Sequence, residues 1–221
     1  MTTGSSQSGR TPIIRTLSLY LPPAARQNVG RQTKSGDAVG EIASRGQLRM
    51  SFVRWAMVTV PSILLLGFLA GQVVPVGNEN GWYRALAKPA LTPAGWVFPV
   101  VWSALYVMMG LALALVLNAR GAAARGMGIA LFLAQFALNL SWTPLFFGGH
   151  RVGLALLVIV AMTLLTIATT FAFARVRKAA AWLLVPYLVW ISFASVLTLR
   201  IGQLNPNAET LVPVPQTTQM L

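Results

Sequence analysis

The sequence predicts an all-α fold, a polytopic membrane protein built as a bundle of five transmembrane helices. Three observations carry that expectation. Of 221 residues, 56% are hydrophobic and only 10% charged, against about 25% charged in an ordinary soluble domain. A soluble core of this size could not hide so much apolar surface behind so few charges, so the lipid bilayer is the expected solvent. The apolar residues are also gathered into five continuous stretches, each close to the about 20 residues a helix needs to cross about 30 Å of hydrocarbon. Finally, 17 Lys and Arg stand against four acids, a net charge of +13. In a soluble chain that balance would suggest nucleic acid. Here the cations fall between the apolar stretches rather than along one polar face, and no nucleic-acid partner is expected.

Residues 1–49 differ from the rest. They are rich in Ser, Thr, Gly and Arg, with no apolar run that could cross a membrane, and their composition is that of a disordered basic extension. Three readings stay open: a targeting segment, since transit peptides are Arg- and Ser-rich and poor in acids; a solvated cytoplasmic tail; or a stretch that is not translated, with Met50 as the start. The membrane domain is expected over 50–205, with a short flexible tail over 206–221. The five spans are 56–76, 96–117, 127–147, 153–174 and 180–203. Backbone polar groups in lipid must be satisfied within the segment, which leaves helices as the form for runs this long.

Orientation follows from the cations, which accumulate on the cytoplasmic side. Arg45, Arg49, Arg54, Arg120, Arg125, Arg175, Arg177 and Lys178 share one side; Arg84, Lys88, Arg151 and Arg200 lie on the other, with Glu79 and Glu209. The N-terminus is therefore expected inside and the C-terminus outside. The tail after Asn205 holds three prolines and is expected to lack regular structure. The connection after the first span, GNENGWYRALAKPALTPAGW over 77–96, is the longest and carries Trp82, Tyr83, Pro89 and Pro93. Long loops of this kind serve as lids or binding loops. Trp82 and Tyr83 fit equally an aromatic belt at headgroup level.

Inside the spans, Gln135 and Asn139 are spaced i, i+4 and share a helical face, with Trp142 close by. Polar side chains at that depth face protein or a cavity; they can be interhelical glue or ligand donors. Trp102 and Tyr106 share a face of the second span, and Tyr187, Trp190 and Phe193 follow at i, i+3, i+6 in the fifth. Tryptophan at mid-span is off its usual interfacial place. Such faces suit either core packing or a broad, planar, apolar ligand. Small residues recur every four positions at Gly67 and Gly71 in the first span and at Gly126, Ala130 and Ala134 in the third, which permits close helix approach within or between subunits.

Several chemistries are excluded or disfavoured. There is no cysteine and a single histidine, His150, and the acids Asp37, Glu41, Glu79 and Glu209 are dispersed. No metal centre and no cofactor are expected, and neither phosphate-binding loops nor a nucleophilic triad are seen. No span carries an acid, which speaks against a proton-coupled transporter. The short cholesterol-contact pattern is missing around Tyr187, whose nearest downstream cation is Arg200.

Three segments, WYRALAKPALTPAGWVFPVVWSALYVMMG (82–110), QFALNLSWTPLFF (135–147) and PYLVWISFASVLTLRIGQLN (186–205), resemble the TspO/MBR family of bacterial tryptophan-rich sensory proteins and mitochondrial translocator proteins. The resemblance covers residues 52–205. It implies a five-helix bundle, often a homodimer, with a pocket between helices closed by the first loop. It further implies porphyrins such as protoporphyrin IX as ligands, with sterols or benzodiazepine-type drugs in some members. By motif, the ligand-binding residues it implies are Trp102, Tyr106, Asn139, Trp142 and Trp190. The lid would be the loop of Trp82, Tyr83, Pro89 and Pro93, and the dimer contact Gly126, Ala130 and Ala134. This sequence departs from the family pattern at Leu91, Ala94, Val158 and Thr198, where an aromatic, a proline, an acid and an asparagine are common.

The leading expectation is thus a membrane receptor for porphyrins or related planar hydrophobic molecules, serving tetrapyrrole homeostasis or stress signalling. One alternative is light- and oxygen-dependent porphyrin breakdown with Trp102 and Trp190 as the reacting side chains. Another is a porphyrin or sterol transporter. A bacterial cell membrane is the expected location, with a mitochondrial membrane as the alternative.

Overall fold

The computed structural model describes residues 50–211; the basic extension over 1–49 and the end of the tail lie outside them. Six α-helices follow one another. Helix α1 spans 50–72, a 3-10 turn covers Gly77–Glu79 and a short helix α2 covers Gly81–Ala85. Then come α3 (Val97–Asn118), α4 (Arg125–Thr143), α5 (Val152–Val176) and α6 (Lys178–Leu204). A π turn, Pro144–Gly148, extends α4, and a 3-10 turn, Ala208–Thr210, follows α6. The five long helices, all but α2, are long and apolar enough to cross a membrane, so the chain is an integral multi-pass membrane protein.

The spans agree with the sequence reading except at their ends. Helix α1 stops at residue 72 rather than 76. Pro75 supplies no N–H and pushes Val74 before it out of helical conformation. Pro99, in the first turn of α3, removes a donor that would have no helical partner anyway. Pro186 sits inside α6 without ending it. After Asn205 the chain forms the Ala208–Thr210 turn and buries Ala208 to 2% exposure, where no regular structure was expected.

Helices α3 to α6 pack as a bundle, with the most extensive contacts between α5 and α6, α4 and α5, and α3 and α6. Helix α1 joins through α3: Thr59 Oγ1 donates to the Gly110 carbonyl at 2.8 Å, and a Cβ on Gly110 would come within 2.6 Å of Val60 Cα. Most of α1's apolar surface, including Leu65, Phe68 and Leu69, remains exposed. So do Leu133, Leu157, Phe171 and Val189 on the other helices. An outer face of this kind is stable only against lipid. Hydroxyls within the spans are satisfied locally: Thr163, Thr166, Thr169, Ser192, Ser195 and Thr198 each donate to the carbonyl four residues earlier.

Two apolar clusters fill the interior. The larger lies between α3, α4, α5 and α6 around Met109, Phe132, Phe173, Leu184 and Tyr187. The smaller gathers Trp82, Tyr83 and Leu86 of the first loop with Phe146, Val152, Ala155, Leu197, Ile201 and Ala208. Successive spans alternate in direction, so that second cluster closes the end of the bundle where the first loop, the α4–α5 connection and the tail meet. Arg54, Arg120, Arg125, Arg175, Arg177 and Lys178 lie at the opposite end.

Candidate functional site

Within the larger cluster, four side chains from three helices form a hydrogen-bonded ladder. Helix α4 supplies Gln135 and Asn139, 0% and 5% exposed, on one face one turn apart. Tyr106 of α3 donates to Asn139 Oδ1 at 3.1 Å, Asn139 Nδ2 donates to Tyr187 Oη of α6 at 3.2 Å, and Tyr187 Oη donates to Gln135 Oε1 at 2.9 Å. Thr166 of α5 lies 3.4 Å from the same Gln135 oxygen. The ladder carries no charged side chain. It offers neutral donors and acceptors in an apolar setting, where each is worth more than in water and costly if left unpaired.

Aromatic rings flank one end of the ladder. Trp102 lies 5.3 Å from Tyr106, tilted by 32°, and 6.3 Å edge-on from Tyr187. Trp190 does not join this group. It packs instead on Phe98 at 5.9 Å and Phe193 at 5.7 Å and lines an apolar cleft of about 470 Å³ between α3 and α6. Val101, Leu105, Pro186 and Val189 share that cleft, and Pro93 reaches it from the first loop. It is shallow and open along its outer edge, where Val189 is exposed.

Trp142 faces the other way. Its Nε1 donates to the Ala155 carbonyl at 3.1 Å and its ring stacks on Phe146 at 4.8 Å, so it ties α4 to α5 and joins the two clusters.

The first loop is pinned at several points. Trp82 is 1% exposed; its Nε1 donates to the Ala208 carbonyl at 2.8 Å and its ring stacks on His150 at 4.5 Å. Asn80 caps α2 by accepting from Tyr83 N, while its Nδ2 donates to the carbonyls of Pro75 and Phe147, each at 3.0 Å. Asn205 holds Ala87 from both sides, accepting its N–H and donating to its carbonyl at 2.9 Å each. Pro89 forms a turn whose carbonyl accepts from both Thr92 N and Thr92 Oγ1. Tyr83 packs on Phe146 and Phe147 with Lys88 Nζ 4.8 Å from its ring centre, and burial raises its phenol above the ordinary value. Trp82 and Tyr83 are both turned into protein, 1% and 7% exposed. Trp96 and Trp182, in contrast, are 70% and 73% exposed near opposite ends of the bundle.

Gly126, Ala130 and Ala134 line the outer face of α4, exposed beside Met127 and Leu133. Gly67 of the first-span stripe meets the Tyr106 ring, whereas nothing lies within 4 Å of a Cβ built on Gly71. Among the described residues no group of three or more His, Cys, Asp or Glu could hold a metal ion. Asn80, Thr166 and Asn205 carry parts of this arrangement without having stood out in the sequence. Only Asn80 had a local signal, as a helix-capping residue type before a short apolar segment.

The sequence profile of the TspO/MBR family matches residues 57–204. The chain is 44% identical over 144 residues to the tryptophan-rich protein TspO of Chlorobaculum tepidum, covering 65% of this chain and 90% of that protein. It is 35% identical over 146 residues to protein CrtK of Rhodobacter capsulatus, 64% and 89% of the two chains. With the human translocator protein it shares 37% identity over 134 residues, 60% of this chain and 79% of that one. The match embraces α3 to α6 entire, the pinned loop and most of α1, and with it the ladder, the cleft and the Asn80 clamp, ending just before Asn205: the chain belongs to the TspO/MBR family.

Proposed function

We propose that the protein is a membrane receptor for a porphyrin or a closely related planar hydrophobic molecule, held between α3 and α6 and covered by the first loop. The observation that carries this reading is the apolar cleft that Trp190 lines and Pro93 of the loop reaches, formed by the same two helices, α3 and α6, that supply the Trp102 ring and two rungs of the neutral hydrogen-bonded ladder. Flat aromatic faces provide contact area for a macrocycle, and a few fixed polar groups orient it. The bacterial and mammalian relatives named above support a shared small-molecule role. In this reading the cationic end of the bundle faces the cytoplasm, and the outer stripe of Gly126, Ala130 and Ala134 is where two copies meet.

The test is a dark titration of the purified, detergent-solubilised protein with protoporphyrin IX. It is followed by the porphyrin absorbance band and by tryptophan quenching, for wild type and for Trp102→Phe with Trp190→Phe. Saturable binding that weakens at least tenfold in the double variant is expected. Unsaturable partition by wild type, or unchanged affinity in the variant, overturns the reading. A repeat under illumination in air separates receptor from enzyme: porphyrin loss that depends on the two tryptophans would make the protein a catalyst of porphyrin breakdown.

A further inference from the structure

The end of the bundle away from the first loop carries charge without a counter-charge. Arg54, Arg120, Arg125, Arg175, Arg177 and Lys178 lie there, while the acids among the described residues, Glu79 and Glu209, lie at the other end. The cations are unevenly spread. Arg175, Arg177 and Lys178 fall within four residues where α5 turns into α6, and all three side chains are exposed. Arg125, the first residue of α4, adds a fourth. A Cβ on Gly128 would lie 3.1 Å from the Phe173 ring and 3.7 Å from Ala172 Cβ. The first turn of α4 therefore runs beside the end of α5 and brings Arg125 to the same corner.

Helix physics does not ask for cations in these places. A positive side chain at the first residue of a helix opposes the dipole, which favours an anion there. Arg125 and Lys178 both hold that position, with no acid in either first turn. Arg125 is half-buried, and its Nε is buried without a hydrogen-bond partner, so its charge is held against protein with nothing among the described residues to neutralise it.

Aromatic rings lie just inward of the corner. Phe171 precedes Arg175 by four residues and Trp182 follows Lys178 by four, so each ring shares a helical face with its cation. Both are turned outward, 69% and 73% exposed. Four residues are about 6 Å along a helix. That is the depth of one headgroup layer, about 5–8 Å on each side of the hydrocarbon. Rings at the hydrocarbon boundary therefore put the cations at the level of the phosphates.

We propose that this corner is a binding site for an anionic phospholipid. Arg125, Arg175, Arg177 and Lys178 meet the headgroup, and the outer faces of α5 and α6 with Phe171 and Trp182 meet its acyl chains. Guanidinium groups suit a phosphate because they offer it two N–H donors at once. A zwitterionic lipid with the same chains brings its own cation to the corner and gains less from it. The site stands apart from the porphyrin reading and does not depend on it.

The test reconstitutes the full chain into phosphatidylcholine vesicles holding a minor share of phosphatidylglycerol with the same acyl chains. Bromine on an acyl chain quenches a neighbouring tryptophan, so either the phosphatidylglycerol or an equal share of the phosphatidylcholine is brominated. The quenching that disappears in Trp182→Phe reports the lipid at the corner. The readout is the ratio of the two quenching efficiencies within one protein. Wild type should favour phosphatidylglycerol by at least about fivefold, the factor that one cation near a charged surface supplies. The preference should vanish when Arg175, Arg177 and Lys178 are all changed to Gln. It should persist in Arg54→Gln, which removes a cation from the same end on α1. In wild type it should shrink as salt screens the exposed charges and resist free glycerol phosphate, which has the charge without the chains. Equal quenching by the two lipids in wild type overturns the inference and leaves the corner to an acidic partner in water. A preference that ignores salt, or survives in the triple variant, overturns the role of these cations. A preference lost equally in Arg54→Gln makes it a property of the whole charged end, and displacement by glycerol phosphate makes the corner a phosphate site; either overturns the lipid site.

Discussion

The ring of Tyr106 occupies the place where a side chain at position 67 would begin. A Cβ added to Gly67 would come within 2.7 Å of Tyr106 Cδ2 and closer still to Cε2 and Cζ. The absence of a side chain on α1 therefore lets the phenol lie flat against that helix while its hydroxyl reaches Asn139 at 3.1 Å.

Gly67→Ala should push the Tyr106 ring aside and destabilise the protein by about 1–3 kcal/mol, the usual cost of overfilling a packed site. It should weaken ligand binding along with stability. In a Tyr106→Ala background the same substitution should cost almost nothing, because the two positions share one space. Apparent melting temperatures of the four proteins in one detergent complete the cycle; equal losses in both backgrounds would refute the contact.

Gly110→Ala should be worse than Gly67→Ala. Its nearest neighbours are backbone atoms, Val60 Cα at 2.6 Å and Val60 N at 3.1 Å, which no rotamer change can move. Helix α1 must shift off α3, and the bond from Thr59 Oγ1 to the Gly110 carbonyl goes with it. Thr59→Val removes that bond and the local one to the Trp55 carbonyl without displacing the helix, and should cost only about 0.6–2 kcal/mol. Melting temperatures that rank the two variants in the opposite order would contradict this packing.

Asn205→Ala should loosen the first loop without unfolding the bundle. The Asn205 side chain meets both the N–H and the carbonyl of Ala87, and the loop has few other ties on that side. Amide exchange over 77–96 should speed up while the spans stay protected. Asn205→Asp keeps the acceptor for Ala87 N and should fall between. Unchanged loop exchange in Asn205→Ala would show that Trp82 and Asn80 hold the loop unaided.

Tyr83 sets an alkaline limit on the loop cluster. Its phenol is raised above 10.0 by burial, so the folded state holds the proton more tightly than the unfolded state. That contribution is complete below pH about 10. It is lost as pH rises from the unfolded value through the folded one, because the unfolded chain releases its proton first. Tyr83→Phe should therefore lose less stability than wild type between about pH 9 and 11. Parallel stability curves for the two proteins would refute the assignment.

Much of the site was legible before the fold. The i, i+4 spacing of Gln135 and Asn139 placed both on one face, and they do point inward together. Trp102 and Tyr106, spaced likewise on α3, meet them. Other expectations depended on information a local pattern does not carry. Trp82 and Tyr83 could have been belt or loop-core residues, and residues more than 60 positions later, Phe146 and Ala208 among them, bury them. The resemblance groups Trp142 and Trp190 with Trp102; in the structure Trp142 ties to α5 and Trp190 lines the cleft between α3 and α6. Of the stripe at Gly67 and Gly71, which permits close approach within or between subunits, Gly67 receives an aromatic ring of α3 and no atom of the same chain lies within 4 Å of a Cβ built on Gly71.

By itself the sequence determined the solvent, the number of spans and the residues able to hydrogen-bond or stack within them. Those follow from local rules: long apolar runs must be helical in lipid because their backbone groups have no other partner, and helical periodicity then assigns faces. The tertiary structure alone decided which faces meet. That choice depends on how each helix is rotated and how closely it approaches its neighbours, and steric fit sets it between residues such as Gly67 and Tyr106, or Gly110 and Val60, that lie tens of positions apart.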